Sequence, residues 1–300
     1  MISVLMVTYY SGPILFEAIA RIIAQADGHE LVLVNNGNPE AINQQLRTMA
    51  AAEPRLVLLE NTTNIGFGRA CNQAAAAASG SVYLMLNPDC LLPAAGLAKL
   101  SSVIETLPPH WLLGADIRNE DMSPQRGARR DRLTPWLAFI EITRLSSIAP
   151  RHPYFRRMNH HHQRLPATTV EVPAISGAFM AMSAEDFNAI GGFDPAYFLH
   201  VEDLDLCLRW HKMGWPTFFT PHLQLVHLQG TSSASHWFIE WHKTQGFIYY
   251  FNTHFRDFYP AAFFALLKVA LYGRFVVQAT ARTLVDMLPW RKSYPLLDRD

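Results

Sequence analysis

Ile2-Ser3-Val4-Leu5-Met6-Val7-Thr8-Tyr9-Tyr10-Ser11-Gly12-Pro13 is the stretch that decides the fold. Ser3 to Thr8 is an apolar run rich in β-branched residues. Tyr9 to Pro13 breaks it, and Ile14 to Ala24 follows as an apolar segment of helical length. The pattern predicts strand, turn, helix. It returns as Glu30–Val34, the turn cluster Asn35-Asn36-Gly37-Asn38-Pro39 and Glu40–Ala52, then as Leu56–Leu59, the loop Asn61–Gly66 and the Ala-rich Gly68–Ala78. A fourth cycle is Ser81–Leu86, Asn87-Pro88-Asp89 and Pro93–Thr106. Four such cycles predict an α/β fold: a mostly parallel, Rossmann-like sheet with helices on both faces. Ligands of such sheets bind at the carboxyl ends of the strands, where Thr8, Tyr10, Asn35, Asn36, Asn64 and Asn87 cluster here.

Composition narrows the class. The 300 residues are 50% hydrophobic with 16 Gly and 19 Pro, which fits one large domain or two small ones and excludes disorder, collagen and coiled coil. Lys plus Arg and Asp plus Glu number 25 each, so no global field attracts nucleic acid. The 3 cysteines, Cys71, Cys90 and Cys207, lack paired spacing and fit a reducing compartment, hence an intracellular chain. The apolar N-terminus has no basic n-region and is too short for a signal peptide or a span. No G-x-G-x-x-G follows the first strand and no G-K-[ST] occurs anywhere, so nicotinamide enzymes and P-loop kinases are unsupported. A nucleotidyltransferase is disfavoured too, because no Lys precedes Lys99.

From Arg118 to Arg164 the chain becomes a Pro-broken basic insertion with His160-His161-His162 in it. Two readings of it stand level: a solvated loop region, or a surface for a phosphate-bearing acceptor or an anionic membrane. Regular structure resumes with Val170–Ser183, which holds Ser176-Gly177-Ala178, and a helix Ala184–Ile190. Gly191-Gly192-Phe193-Asp194-Pro195 then turns the chain towards a helix opened by Glu202-Asp203-Leu204-Asp205. Three carboxylates exceed what a helix dipole needs at its start. Asp203 and Asp205 point roughly 200° apart on a helix, so one faces a cleft while the other pairs, with Arg209 four residues beyond Asp205 as its partner. A carboxylate so held suits a general base. Asp89, behind Asn87-Pro88, offers a hard oxygen ligand for magnesium or manganese, and His227 can complete a metal shell.

These blocks, in this order, resemble family 2 glycosyltransferases of the GT-A fold, in particular a rhamnosyltransferase-like bacterial branch. The matching stretches are Val4 to Tyr9, Asn64-Ile65-Gly66-Phe67-Gly68-Arg69-Ala70-Cys71-Asn72, Leu86-Asn87-Pro88-Asp89, Ser176-Gly177-Ala178, and Gly191-Gly192-Phe193-Asp194 through Glu202-Asp203-Leu204-Asp205-Leu206-Cys207-Leu208-Arg209. The last block is highly specific. The resemblance implies a metal-dependent, inverting hexosyltransferase that moves a sugar, L-rhamnose in this branch, from a dTDP- or UDP-sugar to a hydroxyl of a glycan or polyprenyl-diphosphate-linked glycan in cell-envelope polysaccharide synthesis. It implies Asp203 as the catalytic base, Asp89 and His227 at a Mg2+ or Mn2+ ion, and Thr8, Tyr10, Asn35, Asn36, Asn64, Gly66, Asn72, Asn87, Gly177 and Glu202 around the nucleotide-sugar. Two departures stand out: Asn35 where the family commonly has an Asp that accepts from the base imide, and Asn87 as the first residue of the D-x-D-like motif. The competing reading is a catalytically silent GT-A-like protein that binds a glycan or a lipid carrier.

The expected organisation is a catalytic domain over 1–235, comprising a nucleotide-sugar half 1–115, the insertion 118–165 and an acceptor half 166–235, then a helical, membrane-associating region 236–300. Between Pro260 and Pro289 no charge-free stretch reaches the roughly 18 residues of a span. Lys268, Arg274, Gln278, Arg282 and Asp286 fall within about 120° of a helical wheel, with Phe263, Phe264, Leu267, Leu271, Phe275 and Trp290 around them. The expectation is an interfacial helix, basic residues towards lipid headgroups, on the cytoplasmic face of the inner membrane, with Arg129-Arg130 pointing the same way. A helix docked on the catalytic domain or on a partner in an oligomer is the alternative.

Overall fold

The computed structural model describes residues 1–26, 28–149, 152–155, 157–230 and 234–287. Arg151, Arg156, Thr231, Ser232, Trp290 and the side chain of Asp286 lie outside the described residues. In chain order the first elements are β1 (Ile2–Thr8), α1 (Ile14–Ile23), β2 (His29–Asn35), α2 (Glu40–Ala52), β3 (Leu56–Glu60), α3 (Phe67–Ala77), β4 (Val82–Leu86), β5 (Cys90–Leu91), α4 (Gly96–Ile104) and β6 (Leu112–Arg118). Next come β7 (Arg129–Arg130), α5 (Pro135–Thr143), α6 (Leu145–Ile148), β8 (Val170–Glu171), β9 (Ala174–Ile175), β10 (Phe179–Ser183) and α7 (Ala184–Ala189). The chain continues through α8 (Glu202–Lys212), β11 (Thr217–His227), α9 (His236–Phe255) and α10 (Ala261–Met287).

These elements form two compact units, Met1–Leu133 with Arg157–Ser233, and Thr134–Arg156 with Ala234–Asp300. The basic insertion is therefore not one module. Its middle, with α5 and α6, groups with the C-terminal helices instead.

The first unit is built on a nine-stranded sheet of order β3-β2-β1-β4-β10-β6-β11-β5, with β8 also on β11. The four strands of the repeating cycles are parallel, whereas β10 runs antiparallel between β4 and β6. Alternate residues of each central strand enter opposite cores. Val4, Met6, Leu31, Leu33, Leu84 and Leu86 pack with α1 and α4 residues such as Ile19 and Leu100. Leu5, Val7, Val32, Val34, Tyr83 and Met85 pack with Ala74 of α3 and Leu206 and Trp210 of α8. That two-sided burial is why these strands read as continuous apolar runs.

Strand order reverses at β1, which lies between β2 and β4, so the crevice of this sheet opens over the loops that follow β1 and β4. Register aligns the strand ends: Thr8 pairs with Asn35, and Asn35 with Glu60. A separate two-stranded ribbon pairs β7 with β9, Arg129 opposite Ile175 and Arg130 opposite Ala174.

In the second unit α9 and α10 form a hairpin, closed by a 3-10 turn at Arg256–Phe258. Trp237 and Trp241 pack on Phe275, and Phe263 packs on Trp136 and Phe139 of α5. The fully buried Glu240 of α9 lies 3.0 Å from Arg274 and 3.1 Å from Arg282, both of α10. This reverses the expected orientation of α10. Arg274 and Arg282 turn inward to a buried carboxylate, because leaving Glu240 in an apolar hairpin without a countercharge is costly. Leu267 and Leu271 are buried, while Leu266, Val269, Val276, Val277 and Leu284 stand exposed. By length and composition alone, Ala261–Val285 is apolar enough to cross a membrane, contrary to the expectation from the charge-free criterion.

Candidate active site

Every candidate site residue falls in the first unit. At the ends of β1 and β2, Asn38 organises the loops. Its Oδ1 accepts from Tyr10 N at 2.6 Å, and its Nδ2 donates to Thr8 O at 3.1 Å and to Asn35 Oδ1 at 2.8 Å. Tyr10 adopts a left-handed φ of 52°, a conformation held by that bond. Thr8 Oγ1 shares a 3.0 Å hydrogen bond with Ser11 Oγ.

Asn35 corrects the expected base contact. Its Oδ1 accepts from both Asn38 N and Asn38 Nδ2, while its Nδ2 donates to Asn43 at 2.7 Å and, longer at 3.4 Å, to Glu60. Two acceptances and two donations exhaust a carboxamide, so the side chain has nothing left for a base imide. Asn36 joins the next loop. Its Nδ2 donates to Asn64 Oδ1, and its own Oδ1 accepts from Asn61 Nδ2 and Ile65 N. Gly66 enters α3 at φ 93°, where a Cβ would lie 2.7 Å from Phe198 O. No side chain fits there.

Asn72 is a second correction. Its Nδ2 donates to Phe193 O at 2.8 Å and its Oδ1 accepts from Phe193 N at 2.9 Å, so it clamps the Gly-Gly-Phe-Asp turn to α3 rather than facing a nucleotide. Gly192, at φ 66°, would put a Cβ 2.7 Å from Asn72 Oδ1.

At the other end of the crevice, β5 pairs antiparallel with the end of β11, placing His227 opposite Cys90. That register brings Asp89 Oδ1 to 3.0 Å from His227 Nε2 across 138 residues of chain. Gln125 fixes the imidazole. Its Nε2 donates to His227 O and to Asn119 Oδ1, so its Oε1 is the acceptor and His227 Nδ1 the donor, at 2.7 Å. Nε2 of a neutral ring then turns a lone pair towards a carboxylate oxygen, with Asn87 Nδ2 more distant at 3.5 Å. Two electron-rich atoms so close call for a cation or a proton between them, and an oxygen and an imidazole suit manganese or magnesium. Asp89 and His227 therefore fit a divalent ion. Cys90, geometrically near, does not: burial holds its thiol well above the ordinary range, and it donates to Ala178 O.

The carboxylates of α8 separate as their helical spacing predicts. Asp205 accepts from Arg209 Nε at 2.7 Å and from Tyr197 OH at 3.2 Å, and Arg209 also caps Ile190 O and Gly192 O. Asp203 faces elsewhere. Its Oδ2 accepts from Gly177 N at 3.0 Å and from Arg130 Nη2, and its Oδ1 from Leu204 N. A Cβ on Gly177 would sit 3.0 Å from that of Asp203, so glycine permits the approach. Burial alone would raise the carboxyl of Asp203, but the Arg130 charge and the Gly177 N–H outweigh it and hold it below the ordinary carboxylate range.

Glu202 goes the other way. Burial, then the Asp203 charge, push it up to about 8, and its Oε2 is buried without a hydrogen-bond partner. It stands beside Asp203 at the start of α8. The helix begins from His200 and Val201, both left-handed at φ 64° and 75°. A β-branched residue there is an outlier, and it aims the first turn of α8 at Gly177.

Arg129 and Arg130 overturn the expected membrane role of that dipeptide. Arg129 is buried, caps the carbonyls of His160 and Gln163 and stacks on Phe219. Arg130, Asn38 and Gln125 are the residues that sequence reasoning missed. Asn38 carried a signal, as an Asn inside a turn cluster. Arg130 carried none beyond the density of charge.

A family model described as glycosyl transferase family 2 matches residues 3–191. The N-acetylglucosaminyl-diphospho-decaprenol L-rhamnosyltransferase of Mycobacterium tuberculosis (strain ATCC 25618 / H37Rv) is 27% identical over 253 residues, 78% of this chain and 80% of that one. The rhamnosyltransferase WbbL of Escherichia coli (strain K12) is 33% identical over 76 residues, 25% of this chain and 29% of its own. Among solved structures, GalNAc-T7 with UDP, GalNAc and Mn2+ superposes with a TM-score of 0.61 at 17% identity, over 84% of this chain and 47% of that one. The mannosyltransferase PcManGT from Pyrobaculum calidifontis, in complex with GDP-Man and Mn2+, gives 0.57 at 18% identity, over 98% and 76%. The fold is GT-A.

Proposed function

The chain belongs to glycosyl transferase family 2, and from that membership we propose that it is an inverting glycosyltransferase moving a rhamnose-type sugar from a nucleoside diphosphate donor to a hydroxyl of a lipid-linked glycan. The donor and acceptor classes follow the names of the relatives, an L-rhamnosyltransferase acting on a diphospho-decaprenol among them. The observation that carries the reading is the junction at Gly177-Ala178. Gly177 N donates to the Asp203 carboxylate, and Ala178 O accepts from Asn87 N at 3.0 Å, so two consecutive residues link the base to the turn bearing Asp89. A silent binder has no need of that junction.

In this reading Asp203 takes the proton from the acceptor hydroxyl as the oxygen attacks the anomeric carbon. Its low protonation range means it is ionised and ready at neutral pH. Asp89 and His227 would hold a divalent cation, whose charge offsets that of the departing diphosphate. Gln125 keeps His227 in the tautomer that presents Nε2. Thr8, Tyr10, Asn36, Asn64, Gly66 and Asn87 shape the loops on the nucleotide side, while Asn35 supports those loops from within and Asn72 holds the Gly-Gly-Phe-Asp turn on α3. The first unit is the catalytic one. The second, with its exposed apolar helices, serves the cytoplasmic membrane face where a lipid-linked acceptor resides.

The test is calorimetric titration with UDP and dTDP, each with and without Mn2+, on the parent and on Asp203→Asn. Metal-dependent binding of one nucleotide by both, with transfer lost only in Asp203→Asn by about 100-fold or more, is the expected result. Retained turnover in Asp203→Asn overturns the base assignment, and no binding of either nucleotide excludes a UDP- or dTDP-sugar donor and points to another nucleotide such as GDP or to a silent binder.

A further inference from the structure

We propose that Arg130 is the positioning residue of the catalytic carboxylate: its guanidinium ties Asp203 to the main chain of β9 and is the cation that the buried pair Glu202 and Asp203 shares. The inference rests on Asp203 being the base. Arg130 Nη2 donates to Ile175 O at 2.7 Å and also to Asp203 Oδ2. One nitrogen thus bridges a strand carbonyl and the carboxylate, in line with Gly177 N, which donates to the same oxygen. The ribbon of β7 and β9 sets the bridge, since Arg130 pairs with Ala174 directly before Ile175. The side chains of Arg130 and Asp203 are 13% and 16% exposed, so solvent does not screen the pair as it would on a surface.

Among the described residues, the titratable and charged groups facing the two carboxylates are Arg130 from β7, Asp205 and Cys207 from α8 itself, and Cys71 from α3. Burial pushes Cys207 up to about 12 and Cys71 well above its ordinary range, so both remain neutral thiols. Asp205 is committed to Arg209. The positive charge therefore comes from Arg130. Two buried polar atoms without hydrogen-bond partners, Arg130 Nε and Glu202 Oε2, belong to this same group of side chains. Without Arg130, burial would favour a protonated Asp203, a base already carrying its proton.

The experiment is the pH profile of kcat/KM for sugar transfer by Arg130→Gln and Arg130→Lys, alongside Asp203→Asn, with nucleotide binding measured on each. In Arg130→Gln the acid limb is expected to move up by about one pH unit or more, with activity on that limb down about tenfold, recovery as pH rises above it and donor KM little changed. Arg130→Lys, which keeps charge but not the bridge, is expected to restore most of the limb while kcat stays low. If the Gln variant does not fold, the Lys variant decides, by a reduced kcat at unchanged donor KM. A parental profile in the folded variants, or a loss equal at every pH in Arg130→Gln, overturns the proposal while Asp203→Asn remains inactive. Turnover in Asp203→Asn overturns instead the base assignment beneath it.

Discussion

The two units of this chain handle the same problem, apolar surface in water, in opposite ways. Among the described residues, the large hydrophobic side chains that stand exposed in the first unit are Met1, Tyr10, Met122 and Met213, against fourteen in the smaller second unit, from Trp136 and Tyr154 to Val277 and Leu284. The first unit spends its burial on a sheet covered on both faces, and its polar residues are then paired inside, as with Asp203 and Arg130. The second unit inverts that arrangement along α10, where Arg274 and Arg282 reach Glu240 and Val269, Val276 and Val277 face out. An apolar surface of this extent marks a place of contact rather than a free surface. The lesson is that amphipathicity states that a helix has two faces, while its neighbours decide which face is inside.

The sharpest way to break this contrast is at the metal end of the first unit. His227→Ala is expected to remove the Mn2+ dependence of nucleotide binding, and Gln125→Leu to weaken it by about 10- to 100-fold through loss of the oriented imidazole. Calorimetry with and without Mn2+ reads both. Equal metal dependence in all three proteins would dissociate Asp89 and His227 from any cation.

A smaller effect concerns Glu202 and stability. Its folded value of about 8 lies above the ordinary 4.5, so the folded chain holds a proton that the unfolded chain releases. The associated stability is complete below pH 4.5 and is lost as pH rises through 8, up to a few kcal/mol in all. Glu202→Gln, near in shape to the protonated acid, is expected to flatten that part of the profile. Urea unfolding at pH 5, 7 and 9 on both proteins measures it, and an unchanged slope of stability against pH would contradict the buried neutral acid.

The smallest expected change in stability comes from the second unit. Val276→Glu with Val277→Glu, both on the exposed face, should alter folding stability by no more than about 0.5 kcal/mol and leave UDP and dTDP binding alone. Flotation with anionic lipid vesicles should nevertheless be lost. Vesicle binding equal to the parent would leave that face without a membrane role and sharpen the case for a protein partner.

Much of the first unit was legible because its signals are local. Val4, Met6, Leu31 and Leu33 announce strands by composition, and Asp205 with Arg209 announces a helical pair by spacing. The site was legible in part. Asp203 and Asp89 stand in blocks whose order resembles a known family, yet nothing local names the partner of Asn36, which ties two loops, or of Asn72 in α3, which clamps Phe193. Their partners lie 28 and 121 residues away, and only the packed chain selects them.

What the sequence determined by itself, then, was the alternation of strands and helices, the parallel half of the sheet and the pair of carboxylates on opposite faces of α8. Those depend on contacts within a few residues, where backbone geometry dictates who meets whom. Tertiary structure decided the rest: that Arg130 meets Asp203 across 73 residues, that β5 and β11 bring Asp89 to His227, and that Arg274 and Arg282 face Glu240. Each of these is a charge or a lone pair whose environment is set by strand register and helix docking. Such partners are chosen by the cost of burying them alone, a quantity that exists only once the chain has folded around them.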